Sequence, residues 1–272
     1  MKIKELTARF EGIVRTAPYE NCRLSYQMII DGENSSLPVA KEKFKEMISE
    51  MKGLFNLEAH NLKAEVLSIM YDNIRFTKRN GIMYPHVTDI LGFDSVFRIP
   101  EHELAQYGSR GTIVHKQAQV NVNKNIWLDP ELDKDLEADV AILLNGSLDL
   151  HWDDCSLKKF LEKHKDKIKE PRTEIQVWND KHIYVGTADL ICKFGGVWTI
   201  CDYKTGSTKD FRQLAAYAAC IDDVKINQLA IFPVGPTTNV TGYMKPAITK
   251  DIDQYFKKFM KRRNEFRKTF GI

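Results

Sequence analysis

The chain has no cysteine pair spaced as CxxC, no apolar run long enough to cross a bilayer and no low-complexity tract. The N-terminal segment MKIKELTARFEGIV carries two glutamates and lacks the apolar core of a signal peptide. We therefore expect an intracellular, cytoplasmic protein without a membrane segment. Neither a zinc ribbon nor a disulfide framework is indicated, because the cysteines are scattered. They are Cys22, Cys155, Cys192, Cys201 and Cys220.

The composition is that of an ordinary globular protein. Hydrophobic residues make up 43% of the 272-residue chain and charged residues 28%, which is enough to bury a large core. The length suits one large α/β domain or a catalytic domain with a small appendage. The net charge of +3 is compatible with a polyanionic partner but does not require one, because the sign of the charge alone is weak evidence.

Residues 1–72 are predicted to form a small N-terminal domain with a ββαβ order of elements. Its strands, helix and last strand are expected over 3–15, 23–30, 39–52 and 62–70. No group of potential catalytic residues occurs in this segment. The domain either binds a recombination or replication protein, guides DNA, or is a packing extension of the rest. Residues 73–272 alternate strands and helices and are predicted to form the second, α/β domain.

A predicted hairpin in this second domain holds the main clue to function. Apolar and β-branched residues run along 184–194 and 197–204, with a Gly-Gly pair between them that suits a two-residue turn. In that register Asp189 lies opposite Asp202. Lys204 shares the face of Asp202, because alternate residues of a strand point to the same side.

Two facing carboxylates with a nearby lysine are what metal-dependent phosphodiester cleavage requires. Like charges opposite each other destabilise a strand pair, so the arrangement invites a compensating cation. A second Asp-x-Lys triplet, Asp223-Val224-Lys225, has no opposing acid and shows that such triplets arise by chance. A strand pair whose polar ends merely reach solvent remains an equal alternative on the hairpin alone.

Two further candidates precede the hairpin. In a helix predicted over 101–122, Gly111 and His115 are one helical turn apart, so Gly111 is expected to let another backbone approach the imidazole. His115 is either a metal ligand or a packing residue. Glu174 lies on a strand predicted over 173–178, next to the acid pair, and is either part of the site or an edge glutamate in water.

Other polar residues surround these candidates. Gln213 and Tyr217 share one face of a helix predicted over 210–220. Tyr107 and Tyr217 are available for base stacking. Four cations are either phosphate clamps or ordinary surface charge. They are Arg110, Lys116, Lys209 and Arg212.

Two short elements and one long helix complete the prediction. A hairpin turning at Asn80-Gly81 is followed by a short helix for which Thr88 is the expected N-cap. The last helix, over 251–270, has an apolar stripe and many basic residues that are either solvated or follow phosphates.

The ordered motifs YPHVTDIL, RGTIVH, GTADLI, DYKTG and QLAAY, with a glutamate strand among them, span residues 84–217. This set resembles the PD-(D/E)XK nucleases of the RecB-like exonuclease branch. Within that branch the motifs are similar to those of the mitochondrial genome maintenance exonuclease and related phage exonucleases. The resemblance implies a restriction-endonuclease-like core, in which helices flank a central mixed sheet.

The resemblance also implies roles for individual residues. His115, Asp189, Asp202 and the Tyr203 carbonyl would hold a divalent ion, and Lys204 would lie beside the attacking water. Gln213 and Tyr217 would brace the site and contact DNA, Thr88 lies in the motif that contacts the strand, and Glu174 matches a glutamate with a less defined role. His86 stands where relatives commonly have serine, which leaves the contact of that side chain open.

The expected activity is therefore a Mg²⁺- or Mn²⁺-dependent DNA exonuclease that acts from a free end in repair, recombination or replication. Its expected substrate is single-stranded or resected DNA, bound without sequence preference because no base-reading motif occurs. No iron-sulfur cluster is expected, because no cysteine follows Cys220. A structure-specific endonuclease on the same fold and a non-catalytic DNA-binding recombination partner are the alternatives.

Overall fold

The structure is a computed structural model that describes residues 3–17, 20–35, 37–71, 74–95, 99–206 and 210–272. Contacts within the chain divide it into two units. The first comprises Met1–Phe93 and Asn264–Ile272, and the second comprises Asp94–Arg263. A separate domain over residues 1–72, as expected from the sequence, stays a prediction.

The described part of the first unit contains two hairpins, two helices and, from Asn264 onward, the end of the last helix. Its elements in chain order are β1 (Ile3–Ala17), β2 (Glu20–Ser35), α1 (Leu37–Met70), β3 (Phe76–Arg79), β4 (Ile82–Pro85) and α2 (Val87–Gly92). Strands β1 and β2 pair in antiparallel fashion, as do β3 and β4. The turn predicted between β3 and β4 is confirmed, because Asn80 and Gly81 both have positive φ angles, 50° and 78°.

The strand predicted over 62–70 is wrong, and the unit is not ββαβ. Helix α1 continues without a break to Met70. Leu62, Ala64 and Val66 alternate with polar residues as in a strand, but the most buried positions in this stretch are Asn61, Ala64 and Leu67. A spacing of three residues is that of a helix face. Packing of this face therefore favours a helix over the strand that the alternation predicts.

The predicted N-cap role of Thr88 is also wrong. Helix α2 begins at Val87, so Thr88 is inside its first turn and His86 is the N-cap residue, without a side-chain cap. The Thr88 hydroxyl donates to Asp89 Oδ1 at 3.1 Å and accepts from Arg75 Nη2 at 2.8 Å. The buried Asp89 binds Arg75 directly at 2.8 Å, and this ion pair fixes the start of the helix.

The second unit is a mixed five-stranded sheet flanked by helices, which confirms the predicted α/β class. The sheet order is β5-β6-β7-β8-β9, and only the β7–β8 pairing is parallel. The elements in chain order are α3 (Glu101–Lys124), α4 (Glu137–Leu144), α5 (Leu157–His164), β5 (Ile168–Asn179), β6 (Tyr184–Phe194), β7 (Val197–Lys204), α6 (Arg212–Ala218), β8 (Gln228–Pro233), β9 (Ala247–Thr249) and α7 (Ile252–Phe270), of which Asn264 onward belongs to the first unit.

Aromatic and aliphatic side chains hold the helices of the second unit to its sheet. The Phe160 ring of α5 lies 4.9 Å from that of Phe232 on β8. On β6, Tyr184 lies 5.0 Å from Phe259 of α7, and its hydroxyl donates to the Ala216 carbonyl of α6 at 3.0 Å. All these rings are buried. The central strands are therefore covered, and polar groups at their ends are placed by a rigid frame.

Candidate active site

The hairpin of β6 and β7 has the predicted ends and register, but its ladder stops one residue before the acid pair. Phe194 pairs with Val197, and the pairing runs to Leu190 opposite Cys201. Beyond that point β6 stays paired with β5, and β7 stays paired with β8. Asp189 is therefore not a ladder partner of Asp202. Its carboxylate accepts a hydrogen bond from the Tyr203 backbone N–H at 2.9 Å.

Three potential metal ligands meet where the strands part. Candidate ligand atoms of His115, Glu174 and Asp189 all lie within 4.8 Å of one another. His115 Nδ1 is 3.4 Å from Asp189 Oδ2, and its Nε2 donates to the Tyr203 carbonyl at 2.6 Å. The Nδ1 lone pair of a neutral imidazole would then face a carboxylate oxygen, so a cation between these two atoms is favourable.

The electrostatics of the site also favour a cation. Burial raises the pKa of Glu174, the charge of Asp189 raises it further, and His115 and Lys116 oppose the shift. Burial likewise raises the pKa of Asp202 to about 6, again with a contribution from Asp189. The carboxylates thus repel one another, and a divalent ion would remove that repulsion.

Asp202 and Lys204 form the other half of the site. Asp202 is 2% exposed, and Lys204 Nζ lies 2.9 Å and 2.8 Å from its two carboxylate oxygens. Lys204 Nζ also lies 3.4 Å from Gln213 Oε1, and Gln213 Nε2 donates to the Tyr217 hydroxyl at 3.1 Å. A buried acid on one side and a braced glutamine on the other therefore position the ammonium group.

The donor set fits a hard divalent cation. His115, Glu174 and Asp189 supply an imidazole nitrogen and carboxylate oxygens, with the Tyr203 carbonyl beside them. Asp202, which the resemblance implies as a ligand, does not belong to the group of three and holds Lys204 instead. The structure thus brings all the expected catalytic residues into one unit but divides them into a ligand group and an ion pair.

The structure places Glu174 next to the acid pair, opposite Asp189 on the neighbouring strand. Thr173 pairs with Leu190 and Ile175 with Ala188, which leaves Glu174 across from Asp189. The position of Glu174 across from Asp189 can be predicted from the sequence, because the turn after β5 sets the β5–β6 register in the same way as the Gly-Gly turn sets the β6–β7 register. The left-handed backbone of Glu174, with a φ of 53°, was not available from the sequence.

Replacing Glu174 by asparagine is expected to stabilise the fold while lowering activity. Asparagine tolerates a positive φ better than glutamate, and the change removes a carboxylate that repels Asp189. The free energy of unfolding should rise by about 1 kcal/mol. Urea denaturation and a DNA hydrolysis assay measure the two effects.

Glu170 offers the matched control. It has a φ of 51°, is exposed and pairs with Lys193 at 2.6 Å. Glu170→Asn should relieve the same backbone strain without changing hydrolysis. If Glu174→Asn kept full activity, the carboxylate would have no part in the site.

A glycine on β6 makes room for Tyr217. A Cβ atom at Gly186 would lie 2.2 Å from Tyr217 Cε1 and 2.9 Å from its hydroxyl oxygen. Tyr217 is 3% exposed, so the ring cannot move into solvent. Because Tyr217 binds Gln213, and Gln213 contacts Lys204, the fit at Gly186 is linked to the position of the ammonium group.

Gly186→Ala is therefore expected to destabilise the protein by about 1–3 kcal/mol and to lower kcat up to about 100-fold, since small misplacements of reacting groups are costly. Thermal unfolding and single-turnover hydrolysis measure these effects. Gly53→Ala is the control, because nothing lies within 4 Å of its Cβ position in helix α1. That change should stabilise the fold slightly. Normal hydrolysis by Gly186→Ala would contradict the link from Tyr217 to Lys204.

The expected role of Gly111 is wrong. Among the described residues, the nearest atom to its Cβ position outside the helix backbone is Thr205 Oγ1, at 3.9 Å, which is an ordinary contact with a side chain and not a close backbone approach. His115 is held instead by the Tyr203 carbonyl. An alanine at position 111 would fit without strain.

The predicted phosphate clamps have different surroundings. Lys116 pairs with Asp135 at 3.4 Å, and Arg212 pairs with Asp210 at 2.6 Å. Arg110 is buried, and Tyr107 is exposed. Lys209 lies outside the described residues. Thr88 is in the first unit, and its contact with DNA stays a prediction.

The region that matches a known protein family includes the whole candidate site. A family model described as the PD-(D/E)XK nuclease superfamily matches residues 87–269, which include every candidate ligand and the Asp202–Lys204 pair. A search among curated proteins found no match. Among the helices that the structure describes, none is long and apolar enough to cross a membrane.

Proposed function

Because the chain belongs to the PD-(D/E)XK nuclease superfamily, we propose that it is a metal-dependent DNA exonuclease that hydrolyses phosphodiester bonds from a free end. Membership indicates a nuclease that acts on DNA. The observation that supports the metal-dependent chemistry is the meeting of His115, Glu174 and Asp189 within 4.8 Å, beside the Asp202–Lys204 ion pair. Repair, recombination or replication is the proposed setting.

Mg²⁺ or Mn²⁺ is the proposed cofactor, held by His115, Glu174 and Asp189. Carboxylate oxygens suit both ions, and the imidazole favours Mn²⁺ somewhat. A bound ion of this kind lowers the pKa of a water molecule and neutralises charge on the phosphate. Asp189 keeps its place because the Tyr203 N–H donates a hydrogen bond to its Oδ2.

Lys204 is proposed to act as a fixed cation. Its ammonium group orients the attacking water and stabilises the negative charge that develops on the phosphate. Asp202 and Gln213 hold it at 2.8 Å and 3.4 Å, and both are in turn fixed by burial or by Tyr217. This role requires only that the lysine remain charged.

Action from a free end is supported by the resemblance to the RecB-like exonuclease branch at RGTIVH, DYKTG and QLAAY. The test compares end-labelled linear DNA with a covalently closed single-stranded circle, each with chelator, Mg²⁺ or Mn²⁺. We expect the linear strand to be degraded only with metal and the circle to survive. Cutting of the circle would indicate an endonuclease. Tight binding without hydrolysis in any metal would indicate a non-catalytic DNA-binding protein.

A further inference from the structure

Arg110 is a buried cation that pairs with no anion among the described residues. The residue is 6% exposed, its Nε makes no hydrogen bond, and no carboxylate pairs with it within the residues that the structure describes. Burying an unpaired charge is costly, so such a group is expected to gain a partner during function. Several other arginines pair with a carboxylate. These pairs are Arg75–Asp89, Arg172–Asp223 and Arg212–Asp210.

The turn of α3 that contains Arg110 lies close to the residue that follows Lys204. Its neighbour Gly111 faces Thr205 Oγ1, and Thr205 follows Lys204 in the chain. Lys204 in turn accepts a hydrogen bond through its carbonyl from the Val234 N–H at 2.9 Å. The backbone of α3 at Arg110 and Gly111 therefore passes the carboxyl end of β7, the strand that ends at Lys204.

Cys155, whose thiol is within electrostatic reach of Arg110, lies near the end of β8. Burial raises the pKa of the Cys155 thiol to about 11; the charge of Arg110 opposes this shift, and the charges of Asp154 and Asp153 add to it. Cys155 forms a β-bridge with Pro236, just beyond β8. The turn of α3 that contains Arg110 thus lies beside the segment that follows β7, and Cys155 lies beside the segment that follows β8.

Tyr107 completes a potential nucleotide site. It precedes Arg110 on α3, its ring centroid is 5.6 Å from the Arg110 guanidinium carbon, and the side chain is 39% exposed. An exposed aromatic ring is a stacking platform for a base, and a guanidinium group binds phosphate with two parallel hydrogen bonds. The two side chains together can contact the base and the phosphate of one nucleotide.

We propose that Arg110 and Tyr107 form a nucleotide subsite next to the reacting bond, in which Arg110 binds a phosphate of the substrate strand and Tyr107 stacks on a base. The inference rests on the proposed nuclease function and adds the position of the substrate DNA strand. The phosphate is either internal or at the end of the strand, and the chemistry of recognition is the same.

The test measures binding of a single-stranded oligonucleotide at several salt concentrations, with chelator present so that no hydrolysis occurs. Loss of one phosphate contact should reduce the slope of log affinity against log salt by about 0.7. We expect this change in Arg110→Met and Arg110→Gln, which are both neutral, and not in Arg110→Lys. Lys193→Met is the control, because Lys193 is at the Gly-Gly turn end of β6.

Tyr107→Ala should weaken binding roughly tenfold without changing the slope, and Tyr107→Phe should bind as the wild type does. An unchanged slope in folded Arg110→Met or Arg110→Gln, confirmed by thermal unfolding, would overturn the subsite. If the arginine variants differ from wild type only on a strand with a terminal phosphate, Arg110 binds the end; a difference on both strands indicates an internal phosphate. Wild-type protein that binds but never hydrolyses DNA would instead refute the proposed function.

Discussion

Replacing Lys204 by methionine is expected to lower kcat/KM for DNA hydrolysis about 100- to 1000-fold, which is the usual effect of removing one group that stabilises a transition-state charge. The fold should also lose about 3 kcal/mol of stability, because the buried Asp202 carboxylate loses its partner. Steady-state hydrolysis of end-labelled DNA and urea denaturation measure the two losses separately.

A double variant separates catalysis from folding. Asp202→Asn combined with Lys204→Met removes both charges of the pair, so most of the lost stability should return while hydrolysis stays low. Lys225→Met is the matched control, because Lys225 is the exposed lysine of the triplet Asp223-Val224-Lys225. Recovery of activity together with stability in the double variant would show that Lys204 has only a structural role.

Replacing Asp189 by asparagine is expected to lower hydrolysis at least about 1000-fold, because several kcal/mol of charge stabilisation by the metal would be lost. Asp189 is the carboxylate that accepts from the Tyr203 N–H, approaches His115 and raises the pKa values of both Glu174 and Asp202. Mn²⁺ affinity should fall with activity, as isothermal titration calorimetry would measure.

Asp223→Asn is the control for this change. Asp223 is exposed, pairs with Arg172 and is not a member of the ligand group, so its loss should leave metal binding and hydrolysis unaltered. If Asp189→Asn bound Mn²⁺ as tightly as the wild type, the proposed ligand group would be incorrect. If it bound normally and also hydrolysed DNA, the proposed mechanism would fail as well.

Local signals predicted the hairpin well. The Gly-Gly turn and the flanking apolar runs specify both ends of β6 and β7 and the register up to Leu190 opposite Cys201. His115 was found through its motif, although a long stretch of chain separates it from Tyr203, whose carbonyl it contacts. Turn chemistry and strand alternation are properties of neighbouring residues, which a single sequence contains.

The errors arose where distant residues decide the local structure. The segment over 62–70 alternates as a strand does, but packing within the first unit makes it the end of a helix. Asp189 leaves the ladder because β6 continues along β5 while β7 continues along β8, and this divergence depends on both outer strands. The positive φ of Glu174 likewise depends on the surrounding sheet, since glutamate alone does not favour it.

The most direct test of the metal site is anomalous scattering from a crystal of the wild-type protein soaked in Mn²⁺. We predict a manganese peak bound by His115, Glu174 and Asp189, with Lys204 still paired with Asp202. Absence of a peak among those three side chains, in protein that degrades DNA with Mn²⁺, would contradict this assignment of the active site.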